Sequence, residues 1–395
     1  MLCISSDTFP PFRVDVAVLF GDKLAKKGHN IDWVLQSEAP RSSPGEEEWN
    51  GWRVFVGATD PGSSLFSRIR KHFRGIRNDL KLLTLAQQNN YQFIQVKDKF
   101  LAAIIGLIAA WRQKSKFVFW LSYPYPEASL YEAKTGSARY PVLYYIRGWA
   151  FKIVLYQIVT RFADHIFVQS EQMKKDMVAE GADPDRMTAV PMGVEPLDLT
   201  PATKLNQTYQ MIYLGTLLQT RQLDFLVRVL ARVREALPEA TLLMVGPEEL
   251  PGDQEILIAE AKRLGVEDAL ILTGRLPRDT ALQHVADSDV CFSPFLPTPI
   301  LNSTSPTKLV EYLSLKRPVV ANDHPEQKMV LNASGGGICV QYDEEQFSNA
   351  AIEILNNPER SLAMGEAGYE YVMANRSYSA IADALEQCYF DLRAN

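Results

Sequence analysis

The sequence is poor in the features that usually settle a protein's class. It has only four cysteines, at positions 3, 291, 339 and 388, with no Cys-x-x-Cys pair and no Cys/His spacing. A zinc site and a disulfide framework drop out of the reading, and a reduced, cytoplasmic protein is expected. Positive charge is not in excess: 41 Lys and Arg against 47 Asp and Glu leave a net charge of −6, which argues against nucleic acid as a partner. The longest apolar run, Phe100 to Trp111, is too short to span a bilayer and reads as a buried core helix. The opening residues MLCISS lack the charged, apolar and small-residue regions of an export signal and read directly as a strand. No Asp-x-Asp pair stands where it would suit a metal, and neither a metal nor another cofactor is expected.

What is present is a two-domain α/β pattern. A chain of 395 residues, 47% apolar and 22% charged, is folded and too long for one core. Short apolar runs (LCISS, IDWVLQ, YQFIQV, FVFWLS, HIFVQS) alternate with helical patterns, and the grammar resumes with MIYLGTL, TLLMVGP, ALILTGRL, VCFSPF and PVVAND. Such alternation implies βαβ units and parallel sheets. The reading is two doubly wound Rossmann-like domains: residues 1–197, a polar linker 198–208, residues 209–375, and a helix 376–395 packing back toward the first domain. Polar loops are expected at 37–51 and 57–64. In doubly wound domains ligands bind past the carboxyl ends of the strands, so a cleft between the domains is the expected site.

One segment poses a question. SPTKLVEYLSLKRPVVAND, residues 305–323, reads as Ser305 at the N-cap, Pro306 at the first helical position, a short helix and a buried strand. Lys308 then falls in the first helical turn, where the helix dipole disfavours a cation. In YLGTLLQTRQLDFLV the strand ends near Gly215 and the helix, read as 221–236, opens on another cation, Arg221. Two cations at helix starts after parallel strands point to a diphosphate held by backbone N–H groups and both charges. Thr307, Lys308 and Glu311 lie on one helical face, and Glu311, one turn further on, suits a ribose diol. The simpler alternative pairs Lys308 with Glu311 and Arg221 with Asp224 on solvated helix faces.

The motifs YLGTLLQTRQLD, LTGRLPRD, DVCFSPF and SPTKLVEYLSLKRPVVAND, with ADHIFVQSEQMKKDM and VPMGV before them, resemble the retaining GT-B glycosyltransferases of the family-four type. The resemblance implies GT-B architecture and sugar transfer from a nucleotide sugar to a saccharide or lipid-linked acceptor, with retention, in bacterial polysaccharide or glycan synthesis. It implies that Arg221, following Gly215 and Thr216, grips the diphosphate with Lys308 and the Thr307 backbone. Glu311 would bind the ribose, while Arg275 and Leu276 would line the nucleobase. Two positions depart from the family pattern: Ser303 stands where the first of two paired glutamates is usual, and Thr216 where an arginine is usual. Asn302, Ser303 and Ser305 are left to hold the sugar by neutral hydrogen bonds. The departures keep two alternatives open, a nucleotide-sugar epimerase and a non-catalytic nucleotide-sugar-binding subunit.

In the first half, Asp98 and Glu127 are the candidate catalytic carboxylates, with helix capping the alternative for Asp98. Arg13 is a candidate for reaching the diphosphate. The histidine that many relatives place near the sugar is missing: His29 and His165 read as structural, and His324 is the histidine placed nearest the ligand. The basic, amphipathic stretch 65–83 reads as a peripheral membrane contact, and 140–159 as packed or interfacial, together favouring a lipid-linked acceptor at the inner face of the membrane.

Overall fold

The computed structural model describes residues 1–59, 62, 65–197, 199 and 209–394. The chain forms two compact units, Met1–Pro191 with Tyr378–Asn395, and Met192–Ser377. The second unit is therefore inserted into the first. The expected linker at 198–208 lies, except for Leu199, outside the described residues.

The first unit is built on an eight-stranded sheet of order β3-β4-β2-β1-β5-β6-β7-β8. Its strands are β1 Leu2–Phe9, β2 Asp32–Ser37, β3 Gly45–Trp49, β4 Trp52–Gly57, β5 Phe93–Lys97, β6 Lys116–Leu121, β7 His165–Val168 and β8 Met187–Ala189. The central strands are buried on both faces, which explains why they read as continuous apolar runs rather than as alternating ones. One helical layer, containing Lys81–Gln88, Phe100–Gln113 and Glu171–Ala179, shares a core with one face of the sheet. The helical segment Asp15–Leu24 and the last helix, Tyr378–Ala394, cover the other face.

One local expectation needs correcting. The polar loop at 37–51 contains strand β3, which pairs antiparallel with β4, so this sheet is mixed rather than wholly parallel. Asn50 and Gly51, with φ of 52° and 81°, make the hairpin turn, and Asn-Gly is the sequence pair that favours it. The basic stretch 65–83 is two helices, Leu65–Asp79 and Lys81–Gln88, and its apolar residues Phe73, Ile76 and Leu80 are exposed.

The second unit has a wholly parallel six-stranded sheet, order β11-β10-β9-β12-β13-β14. These strands are β9 Gln210–Leu214, β10 Thr241–Val245, β11 Leu270–Gly274, β12 Val290–Ser293, β13 Val319–Asn322 and β14 Gly337–Val340. From β9 the chain winds outward to β11, then returns to place β12 against β9. That reversal is the topological switch point at which doubly wound sheets leave a crevice. The first sheet has its own between β1 and β5. Among the described residues no helix is long and apolar enough to cross a membrane.

Candidate nucleotide site at the second switch point

Three strands of the second unit end in glycines that let their loops approach one another. Gly215 N–H donates to the Val245 carbonyl at 2.8 Å, and Gly246 N–H to the Gly274 carbonyl at 3.1 Å. A β-carbon on Gly246 would lie 2.2 Å from the Gly215 oxygen. At Gly215, with φ of 152°, a β-carbon would lie 2.5 Å from Lys308 Cε and 2.9 Å from its Nζ. Glycine is thus required at 215 for Lys308 to lie across the end of β9.

Lys308 sits at the second position of the helix Thr307–Ser314. The expected cap is not the one formed: Pro306 occupies the N-cap position, no side chain caps the helix, and Ser305 lies outside it. Ser305 Oγ accepts from Met192 N–H at 3.0 Å and donates to Glu326 at 3.3 Å, so it fixes the loop instead. The helix is tied to β9 by Tyr312, a fully buried residue whose hydroxyl accepts from Leu214 N–H at 2.8 Å.

Arg221 is not in the first turn of a helix. It ends a short 3-10 turn, Gln219–Arg221; Gln222 then takes a left-handed φ of 50°, and the helix proper begins at Asp224. Its guanidinium donates to the Tyr213 hydroxyl at 3.1 Å and to the Thr216 carbonyl at 3.2 Å. The Lys308 ammonium stands 5.3 Å from the Tyr213 ring centroid and 5.9 Å from that of Phe295. Both cations therefore converge on Tyr213. Neither simple ion pair forms: Asp224 bonds Arg228 at 2.6 Å, Glu311 faces Arg278 at 3.9 Å, and among the described residues no carboxylate pairs with Lys308. A cation left unpaired beside an uncapped helix start is a ready anion site.

Glu311 lies one turn from Lys308. Burial raises its pKa above the ordinary carboxylate range, against the pull of Arg278 and Lys308. Arg275 is exposed, while Leu276 packs against the core beneath the helix Thr307–Ser314. Ser303 is buried, and its hydroxyl donates to the Pro299 carbonyl at 3.3 Å. His324 is buried: Nε2 is 2.7 Å from the Leu301 carbonyl, and Nδ1 accepts from Glu326 N–H at 3.2 Å, which caps the helix Pro325–Ser334. Both ring nitrogens are spent on the fold, and burial lowers its pKa. Sequence reasoning missed Tyr213 and Arg278; Tyr213 had a signal, as the aromatic two residues before the strand-end glycine.

At the switch point of the first unit the charges close on themselves. Lys97 Nζ lies 3.0 Å from Asp15, 3.5 Å from Asp98 and 4.0 Å from Asp7, all of them buried. Arg13 contacts Asp15 at 3.4 Å and the Ser122 hydroxyl at 3.1 Å. Asp98, in a left-handed φ of 58°, accepts from Ser122 N–H at 2.8 Å and from the Ser122 hydroxyl. It caps no helix: the N-cap position before Phe100 is Lys99, without a side-chain bond. Burial opposes the Asp15 carboxylate, but Lys97 and Arg13 outweigh it and hold its pKa low, whereas burial wins at Asp7 and raises it. Glu127 does not join this network; Tyr156 donates to it at 3.0 Å, and burial raises its pKa. No group of three His, Cys, Asp or Glu side chains suited to a metal occurs among the described residues. A cavity of about 750 Å³ lies at the opposite, amino ends of β1, β2, β4 and β5, lined by Asp32, Trp52, Arg53 and Tyr91 among others. It contains none of the rim groups.

Two doubly wound units, one carrying a basic, glycine-lined switch point, define the class as a two-unit Rossmann-like α/β protein. Residues 208–357 match the family described as "Glycosyl transferases group 1" and residues 16–196 the "Glycosyltransferase Family 4" domain. The chain belongs to the GT-B glycosyltransferases of the family-four type. Among curated relatives it is 27% identical over 177 residues to an uncharacterized glycosyltransferase of Haemophilus influenzae, covering 43% of this chain and 47% of that one. It is also 27% identical over 169 residues to the GDP-mannose-dependent alpha-(1-6)-phosphatidylinositol monomannoside mannosyltransferase of Mycolicibacterium smegmatis, covering 42% and 43%. The matches thus span under half the length of these relatives. Solved structures share the fold along the whole chain: sucrose-phosphate synthase of Thermosynechococcus elongatus (TM-score 0.73, 18% identity, 100% of this chain and 99% of that one). Anabaena Alr3699/HepE in complex with UDP-glucose matches with TM-score 0.68 and 13% identity, covering 99% of each chain.

Proposed function

We propose that the chain is a retaining glycosyltransferase that moves a sugar from a nucleoside-diphosphate sugar to a hydroxyl of a saccharide or lipid-linked acceptor in bacterial glycan synthesis. The observation that carries this reading is the pair of rim cations, Arg221 and Lys308, converging on Tyr213 beside an uncapped helix start. As the bond from the sugar to the diphosphate breaks, negative charge grows on the departing phosphate. Cations and backbone N–H groups already in place stabilise that charge without reorganisation. In this assignment Arg221, Lys308 and the Thr307 backbone take the diphosphate, with Gly215 and Thr216 lining it. Glu311 takes the ribose, and Arg275 and Leu276 the base. The cations, rather than a metal ion, carry the leaving-group charge. Asp98 serves as a positioning residue, through Ser122 and Lys97, and Glu127 remains the second carboxylate assigned to the acceptor side. The HepE structure with UDP-glucose and the GDP-mannose dependence of the mycobacterial relative support a nucleotide-sugar donor.

The buried Ser303 hydroxyl is already engaged with Pro299, which favours as second reading a subunit that binds nucleotide sugar without turning it over. A thermal-shift screen of nucleoside diphosphates, followed by nucleotide-sugar hydrolysis and transfer assays, separates the readings. Arg221→Ala or Lys308→Ala should abolish turnover, and near-normal rates in either variant overturn the assignment. Tight nucleotide binding with neither hydrolysis nor transfer across a donor panel selects the binding subunit. An altered sugar still attached to its nucleotide, formed without acceptor, selects an epimerase.

A further inference from the structure

The helix Pro141–Ile153 is docked the wrong way round for a core element. Gly148 is its only buried residue, and a β-carbon there would lie 2.7 Å from Leu130 Cγ and 3.1 Å from the Pro126 carbonyl. The small residue thus lets the helix lie close on Tyr125–Thr135; Phe151 stacks on Phe100, while most of the other large apolar residues turn outward. Val142 is 72% exposed, Leu143 63%, Ile146 60% and Ile153 54%, with Tyr145 and Trp149 also exposed. Val142, Ile146, Trp149 and Ile153 follow helical spacing and form one stripe. An exposed apolar stripe of this extent marks an interaction surface.

Charge selects the partner. Between Glu132 and Asp164 there is no acidic residue, whereas Lys134, Arg139, Arg147, Lys152 and Arg161 are basic, in a chain whose net charge is −6. Lys152 is paired with Glu180 and Arg147 donates to the Ser129 hydroxyl at 3.0 Å, whereas Lys134, Arg139 and Arg161 are exposed. The helix Phe100–Gln113, in the same helical layer, adds exposed Leu101, Ile108 and Trp111. The layer on the other face of that sheet exposes a single large apolar side chain, Phe390, among its described helical residues. Aliphatic residues flanked by Tyr, Trp and cations are the composition of a helix lying in the plane of a bilayer interface.

We propose that the helix Pro141–Ile153 is a docking surface for an anionic lipid membrane, with its Val142–Ile153 stripe set among the acyl chains and the flanking Arg139 and Arg161 at the headgroups. The inference places the contact on a different helix from the basic stretch 65–83, and it stands apart from the transferase reading because vesicle binding is measured without turnover. The test is cosedimentation of the full chain with vesicles of phosphatidylglycerol and phosphatidylcholine in equal parts, and with phosphatidylcholine alone. The wild type should bind the anionic vesicles, bind the neutral ones less, and weaken as salt rises. Ile146→Glu with Ile153→Glu should lose about tenfold or more in binding with an unchanged Tm, both sites being exposed. Arg139→Glu with Arg161→Glu should flatten the salt dependence, and brominated lipid should quench fluorescence that Trp149→Phe removes. The proposal is overturned if the wild type binds neither vesicle, if the glutamate variants bind as well as it does, or if the protein is a dimer that they dissociate.

Discussion

The two switch points have the same topology and opposite electrostatics. In the first unit, Lys97 and Arg13 are consumed by Asp7, Asp15 and Asp98, and nothing is left to attract an anion. In the second, Arg221 leans on a phenol and a carbonyl, and Lys308 on aromatic rings, so two positive charges lack a carboxylate partner among the described residues. Like scaffolds thus separate two tasks. Charges that neutralise one another hold a fold together, whereas charges left without a carboxylate stay available to an anion.

That contrast is most exposed to Lys97→Met. The variant strands three buried carboxylates with only Arg13 for compensation, and it should lose roughly 3–5 kcal/mol of stability in urea unfolding. The Lys308→Ala variant should keep its Tm, since no ion pair is broken. Equal destabilisation of the two would erase the distinction. Next in size is an acid effect at His165, in the first unit. Burial, with a smaller push from Lys174, lowers the His165 pKa from 6.5 to about 4. As pH falls from about 6.5 toward 4, the unfolded chain takes up a proton that the folded one refuses, so stability drops by on the order of 3 kcal/mol. His165→Gln should show a flatter stability profile over that window, measured by unfolding at each pH. Smallest is Glu311→Gln. The carboxylate, with its raised pKa, opposes folding at neutral pH, so the amide should raise the Tm of the empty protein. It should also weaken nucleoside diphosphate binding by about tenfold, while leaving inorganic diphosphate almost untouched. Calorimetric titration with both ligands reads the difference.

What the sequence made legible is local. Apolar runs gave the strands, and a cation after each of β9 and β12 drew attention to Arg221 and Lys308, which the structure brings together at Tyr213. What it hid is long-range or conformational. Asp98 reads as an open carboxylate because two of the groups that engage it lie far off in the chain, Ser122 by 24 positions and Arg13 by more than eighty. The helix start at Asp224, rather than Arg221, depends on the left-handed backbone of Gln222, which a glutamine does not announce. The hairpin at Asn50-Gly51 sits behind a run of prolines, serines and glutamates that look like loop, and Glu46, Glu47 and Glu48 are strand residues only because β4 lies beside them. His324 follows a strand as a ligand-facing residue would, but the Leu301 carbonyl claims its outer nitrogen.

The last helix gives the chain an unusual order of completion. Tyr378, Ile381, Ala382, Leu385 and Tyr389 fill the first unit's core beside the segment Asp15–Leu24, and the Tyr389 hydroxyl bonds Gln95 on a central strand. The unit synthesised first is therefore the one finished last. While the ribosome makes the inserted unit, the apolar face of the first sheet that this helix will cover waits bare, and the second unit can reach its own fold before the first is sealed.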